Sequence, residues 1–216
     1  MQIIVVSNSL SKRIEYFIEA GKHLQTEVRF MTYGELFNCL PQLRQAVIKL
    51  EPCVSDETDF LKYALLNQAY KETLQRLGGI RLSDDVSFLN TPHALLRALD
   101  KKETKEVLVD RGLRVTPMLP SPHSFDELRE LLASCGRGCF LKPRYGSGAG
   151  GIMAVRYQPS RNKWVVYTTL QQVDGVIHNT KRIHRLSTEK EMIPLAEAVM
   201  QTEAILEEWI PKEQLQ

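Results

Sequence analysis

Phe140-Leu141-Lys142-Pro143-Arg144-Tyr145-Gly146-Ser147-Gly148-Ala149-Gly150-Gly151, followed by Ile152-Met153-Ala154-Val155, is the stretch whose reading decides the fold. A short apolar strand ends at a lysine, runs into a glycine-rich loop and leaves as a second apolar strand. Glycines let backbone N–H groups approach phosphate oxygens closely, and such a loop can fold over a polyphosphate. Gly146, Gly148 and Gly151 match Gly-x-Gly-x-x-Gly, but a dinucleotide fingerprint needs a helix after the loop, and here a strand follows. The loop has no Gly-Lys-Ser/Thr ending, so it is not a Walker A loop. Strand–loop–strand is also the protein-kinase arrangement. The chain carries neither His-Arg-Asp nor Asp-Phe-Gly, however, and His184-Arg185-Leu186 lacks the aspartate. A phosphate flap and a purely structural hairpin are the two readings left.

Two lysines bear on that choice. Lys142 closes the strand before the loop. Alone it reads as a solvated strand end, but beside a phosphate flap its charge would neutralise phosphate oxygens. Lys101 follows Asp100 inside a helical stretch, where a surface lysine is the ordinary outcome. Lys102 and Lys105 lie close by, and spacing alone does not choose among the three.

Outward from the loop, residues 1–88 read as an α/β domain. Gln2 to Ser7 is a buried strand, a helical stretch runs to about Leu24, Glu27 to Met31 is a second strand and Ala46 to Leu50 a third. Strands alternating with helices suggest parallel pairing. Thr58 to Leu77 has helical apolar spacing and stops at Gly78-Gly79. Residues 89–123 read as a helical linker, with Thr91 capping a helix that has Pro92 in its first turn and a break near Asp100. Leu113 to Thr116 is extended, and Pro117 to Pro122 is a connecting segment. Residues 124–206 read as an antiparallel α+β unit, opened by the Ser124/Glu127 capping pattern. Its strands are Cys139 to Lys142, Ile152 to Tyr157, Trp164 to Leu170 and Ala204 to Glu207, with a helix over Glu189 to Gln201. His178, Arg182, His184 and Arg185 fall in a polar stretch expected to be a solvated loop. The fold class is α/β followed by α+β.

The 216 residues are 43% hydrophobic and 25% charged, with a formal net charge of +2, which is ordinary for a globular protein. Lys and Arg gather in no long run, so no nucleic-acid footprint is expected. The early apolar run Ile3–Val6 is too short for a signal core or a membrane span, and no membrane association is expected. Cys39, Cys53, Cys135 and Cys139 read as reduced thiols of a cytoplasmic protein. His23, His93 and His123 lack metal-ligand spacing.

In this order the pieces resemble the ATP-grasp superfamily, in its branch of ribosomal-protein glutamate ligases and glutathione synthetases. The resemblance rests on Phe88-Leu89-Asn90-Thr91-Pro92, Asp100-Lys101, Gly112-Leu113-Arg114-Val115-Thr116-Pro117, the lysine strand with its loop, and Leu206-Glu207-Glu208-Trp209-Ile210. It covers about residues 88–216. It implies that Lys101 and Lys142 touch the α- and β-phosphates of ATP, and that Gly146, Ser147, Gly148, Ala149, Gly150 and Gly151 cover the β/γ end. Residues 207–216 would be the adenine hinge and the start of a further lobe. Glu208 and Ile210 would read adenine through backbone groups, with Trp209 between them and Glu207 accepting from or supporting the adenine amino group.

In such ligases the Mg²⁺ ligands and the arginine that steadies the reacting carboxylate come after the hinge. They are therefore expected beyond Gln216, with no catalytic or metal residue in this chain. The expected partners are ATP, a small-molecule or peptide carboxylate and an amine. A carboxylate would attack the γ-phosphate to give an acylphosphate, which the amine then consumes. Positioning and charge neutralisation carry such chemistry. The chain alone is expected to be inactive as a ligase. The alternative is a non-catalytic nucleotide- or partner-binding module built on the same lid.

Overall fold

The computed structural model describes residues 1–53 and 55–210, apart from the side chain of Lys181. The chain divides into two compact units, Met1–Asp56 with Leu66–Ala98, and Glu57–Leu65 with Leu99–Gln216. Each has its own sheet.

In the first unit the elements run β1 (Gln2–Ser7), α1 (Lys12–His23), β2 (Val28–Thr32), α2 (Tyr33–Cys39), β3 (Ala46–Leu50), most of α3 (Phe60–Gly78), β4 (Val86–Phe88) and α4 (Pro92–Leu99). The four strands pair in parallel in the order β2-β1-β3-β4. The central strand β1 buries Ile4, Val5 and Val6 in succession, the continuous apolar run expected of a strand covered on both faces. The Ser11 hydroxyl caps α1 by accepting from the Ile14 N–H, and Thr32 with Glu35 forms a reciprocal capping box at α2. The sequence reading did not include α2 and β4. Both are short, and at three residues β4 carries too few side chains to show a period.

The second unit contains α5 (Lys101–Asp110), β5 (Met118–Leu119), α6 (Phe125–Cys135), β6 (Cys139–Pro143), β7 (Met153–Gln158), β8 (Lys163–Val173), β9 (Val176–Leu186), α7 (Glu189–Met200) and β10 (Ala204–Glu208). Its six strands form one antiparallel sheet in the order β5-β10-β6-β7-β8-β9. Leu128 and Leu132 of α6 and Leu195 and Val199 of α7 join Leu141, Met153, Val155, Val166 and Leu206 in the core.

Period-two alternation then fixes the other face. On β6, Cys139 and Leu141 enter the helix-covered core, so Phe140 and Lys142 point the opposite way. On β10, Glu207 stands opposite Phe140 and Ile205 opposite Lys142, so these side chains share Lys142's face.

Two expectations need correction. The connecting segment at Pro117–Pro122 includes β5, which pairs with β10. The polar stretch holding His178, Arg182, His184 and Arg185 is strand β9, not a solvated loop. It is the edge strand of the sheet, and edge strands keep charged side chains and so lose an obvious apolar period. Among the described residues, no helix is long and apolar enough to cross a membrane.

Candidate functional site

The site is built where α5, the β6–β7 hairpin and β10 meet within the second unit. Asp100 starts α5. Its carboxylate accepts from the N–H groups of Lys102 and Glu103 at 3.0 and 3.1 Å, the standard satisfaction of orphan helix donors. The same carboxylate is held on its far side by Arg144, at 2.8 Å from Nε and 2.6 Å from Nη2. Burial pushes the Asp100 carboxyl up, but Arg144 and the two N–H donors outweigh it and hold it below its usual range. The bond to Asp100 in turn raises the Arg144 guanidinium above its ordinary value. This pair fixes the start of α5 against the chain leaving β6.

Helix α5 then presents two lysines one turn apart, at i and i+4 on one face. The Lys101 ammonium donates to the carbonyls of Pro143, Arg144 and Gly146 at 3.0, 3.3 and 2.8 Å. Burial, with the neighbouring charge of Lys142, brings the Lys101 pKa down from 10.5 to about 8, against the pull of Asp100 and Glu207.

Lys105 reaches the hinge strand. Its ammonium donates to the Thr116 carbonyl at 3.0 Å, and it contacts the Thr116 hydroxyl and Oε2 of Glu207. Lys142 contacts Oε1 of the same carboxylate. Glu207 is 5% exposed. Burial raises its carboxyl, but Lys105 and Lys142 overcome that and hold it ionised below its usual range.

The glycine loop leaves β6 just past these cations. Gly146, Gly148, Ala149 and Gly151 all have positive φ. The loop is tied at both sides. The Tyr63 hydroxyl donates to the Ser147 carbonyl at 2.9 Å and the Thr169 hydroxyl to the Ala149 carbonyl at 3.2 Å. The Gly151 N–H donates to the Asn179 side chain at 3.4 Å. Ser147, Gly148 and Ala149 form the exposed tip.

At the far end of β10, the Glu208 N–H donates to the Pro117 carbonyl at 3.0 Å. In an antiparallel ladder a residue pair of this kind exchanges two bonds. Pro117 has no N–H to return, so the ladder supplies no reciprocal donor to the Glu208 carbonyl. The Glu208 carboxylate pairs with Arg137 at 3.0 Å. Trp209 is packed down, with its N–H on the Gly138 carbonyl at 2.7 Å and its ring 5.5 Å from that of Phe140. Ile210 is 56% exposed.

No protein-family model matches the sequence, and no curated protein matches it. Solved structures do. One is the N5-carboxyaminoimidazole synthetase of Staphylococcus aureus in complex with ADP, at 14% identity and a TM-score of 0.52, covering 97% of this chain and 48% of that one. Another is the carboxyaminoimidazole ribonucleotide synthase of Aspergillus clavatus in complex with ATP, at 12% identity and a TM-score of 0.55, covering 97% and 47%. The chain has part of an ATP-grasp fold. At these identities the likeness is one of fold, and the chain spans about half the length of the structures it matches.

Within this ATP-grasp portion, Lys101, Lys142 and Glu207 form one cluster, and Gly146 joins it through the carbonyl bonded by Lys101. Trp209 and Ile210 lie beyond the other end of β10. The sequence reading left Lys105 undecided and missed Thr116, Arg144, Tyr63, Thr169 and Asn179. One signal was available for Lys105: helical spacing puts it on the face of Lys101, whereas Lys102 is turned away and exposed.

Proposed function

We propose that this chain is the ATP-binding portion of an ATP-dependent carboxylate–amine ligase that works through an acylphosphate. One observation carries the reading. Four cations, Lys101, Lys105, Lys142 and Arg144, gather around two buried carboxylates, Asp100 and Glu207, at the root of a glycine loop. Four positive charges against two negative leave a surplus of two, in a partly desolvated place where charges interact more strongly than in water. A structural salt bridge needs one cation for one acid. A surplus of two suits a polyphosphate.

In this reading Lys142 and Lys101 neutralise the α- and β-phosphates. The loop from Gly146 to Gly151 folds over the β/γ end, offers the N–H groups of its exposed tip at Ser147, Gly148 and Ala149, and excludes water. Adenine lies at the hinge. The Glu208 carbonyl, to which Pro117 returns no donor, accepts from the exocyclic amine, and Ile210 supplies the second backbone contact. An acid's carboxylate then attacks the γ-phosphorus, giving acylphosphate and ADP. An amine displaces phosphate to leave an amide, so the bond formed is C–N and the bond broken is acyl C–O. When bound, Mg²⁺ neutralises charge on the triphosphate. No group of three His, Cys, Asp or Glu side chains able to hold a metal ion lies among the described residues.

Calorimetry with ATP tests the proposal. The chain is expected to bind ATP, and Lys142→Ala to weaken binding by about tenfold or more, the scale of one charge-assisted contact in a partly buried site. Unchanged affinity in that variant removes Lys142 from the site and the reading with it.

A further inference from the structure

Glu207 is held from two sides by lysines of different origin, and the two sides are unequal. Lys142 comes from the neighbouring strand β6 and touches Oε1. Lys105 comes from α5, touches Oε2, and is itself anchored by the hydroxyl and the carbonyl of Thr116. The Thr116 hydroxyl completes the triangle by donating to Oε2 at 3.2 Å. The Lys105 side chain is 14% exposed and that of Glu207 7%. Lys101, one turn earlier, is committed to three backbone carbonyls, as many as an ammonium has N–H groups. Of the two lysines on this face of α5, then, Lys105 is the one bonded to the hinge acid.

We propose that Lys105 is a positioning residue of the nucleotide site. It draws Oε2 of Glu207 toward Thr116, so that Lys142 meets one carboxylate oxygen and keeps its remaining N–H groups for the ligand's phosphates. This rests on the nucleotide reading above. Without Lys105, the Glu207 carboxylate turns both oxygens onto Lys142, its nearest remaining cation. Lys142 is then neutralised by its neighbour and lost to the phosphate. The effect of Lys105 passes entirely through Glu207, which sets it apart from a lysine that touches the ligand.

A double-mutant cycle reads this directly. ATP affinity is measured by calorimetry for the unaltered chain, Lys105→Met, Glu207→Gln and the double variant, with thermal unfolding of each to confirm that it folds. Lys105→Met is expected to weaken ATP binding about tenfold, within the range of coupling energies for contacting residues. In the Glu207→Gln background the same change is expected to cost less than about twofold. The double variant also leaves no uncompensated acid, so it keeps the test open if Lys105→Met alone unfolds.

A pH series adds a readout that mere packing would not move. Protonating Glu207 releases Lys142, so the affinity ratio between the unaltered chain and Lys105→Met is expected to hold steady at neutral pH and to narrow only as pH falls below 4.5, the ordinary value of the carboxyl. Taking the ratio cancels protonation of the nucleotide itself. If the unaltered chain fails to bind ATP, the nucleotide reading falls and this inference with it. If it binds and Lys105→Met binds equally well, this inference alone is overturned. Equal losses in both backgrounds also overturn it, because Lys105 would then act on the nucleotide directly.

Discussion

Gly151 is the residue where the loop has least freedom to vary. Its φ is +73°, and a Cβ built there would lie 2.3 Å from a ring carbon of Phe60 and 3.0 Å from Pro143. Gly148 has a similar φ of +68° but nothing within 4 Å. Alanine at Gly148 therefore meets only the left-handed backbone cost, about 1 kcal/mol. Alanine at Gly151 adds displacement of a buried aromatic ring, raising the loss to about 2–4 kcal/mol. Urea unfolding of the two variants separates these effects, and equal losses would show that Phe60 yields without cost.

Lys101 gives a second residue-level test. Its folded pKa of about 8 lies below the ordinary 10.5. Between those values the unfolded chain holds more protons, so this group makes stability rise with pH across that window. Binding runs the other way. Above about 8 the free protein loses the Lys101 charge, so ATP affinity is expected to fall from neutral pH toward pH 9, and Lys101→Arg to flatten the profile. An unchanged slope in that variant would take Lys101 out of phosphate binding. Spacing alone did not choose among Lys101, Lys102 and Lys105, because a side chain's partner depends on strands that arrive from elsewhere in the chain.

At the scale of elements, α5 depends on one carboxylate for two jobs. Asp100 both caps the helix and holds Arg144. Asp100→Ala removes the cap and leaves a guanidinium without its main acid. The expected loss is about 2–4 kcal/mol, combining typical cap and partly buried pair values. Asp100→Asn keeps a capping oxygen and is expected to lose roughly half as much. Denaturant titration of both variants would show whether the cap or the charge dominates. The depressed carboxyls of Asp100 and Glu207 stabilise the fold above their ordinary values of 3.8 and 4.5, and that stability is lost as pH falls below them.

The helix start itself was legible, since Asp100 reads as a break between helical stretches. Its grip on Arg144, 44 residues away, was not. Strand β9 shows the complementary gap. Its His and Arg residues look like a loop until the sheet order makes it an edge strand.

For the molecule as a whole, the order of motifs carried the fold, while the contacts that define the site depended on register. That Pro117 stands opposite Glu208 follows from how β5 pairs with β10, and two residues of β5 are too few to show that in a sequence. The consequence can be measured across the whole chain at once. If ATP binds through Lys101, Lys142, the glycine loop and the hinge, hydrogen exchange should slow at residues 100–105, 139–152 and 204–210 on adding ATP. Local opening free energies there would rise by about 1.4 kcal/mol for each tenfold that the ligand exceeds its dissociation constant. The parallel sheet of β1 to β4 belongs to the other unit and should exchange at its former rate. At the same ATP concentration the Lys142→Ala variant should lower the protection at all three segments together, by about 1.4 kcal/mol for a tenfold loss of affinity, because one charge cluster links them. Protection surviving at the hinge alone would mean that adenine is held independently of the phosphates.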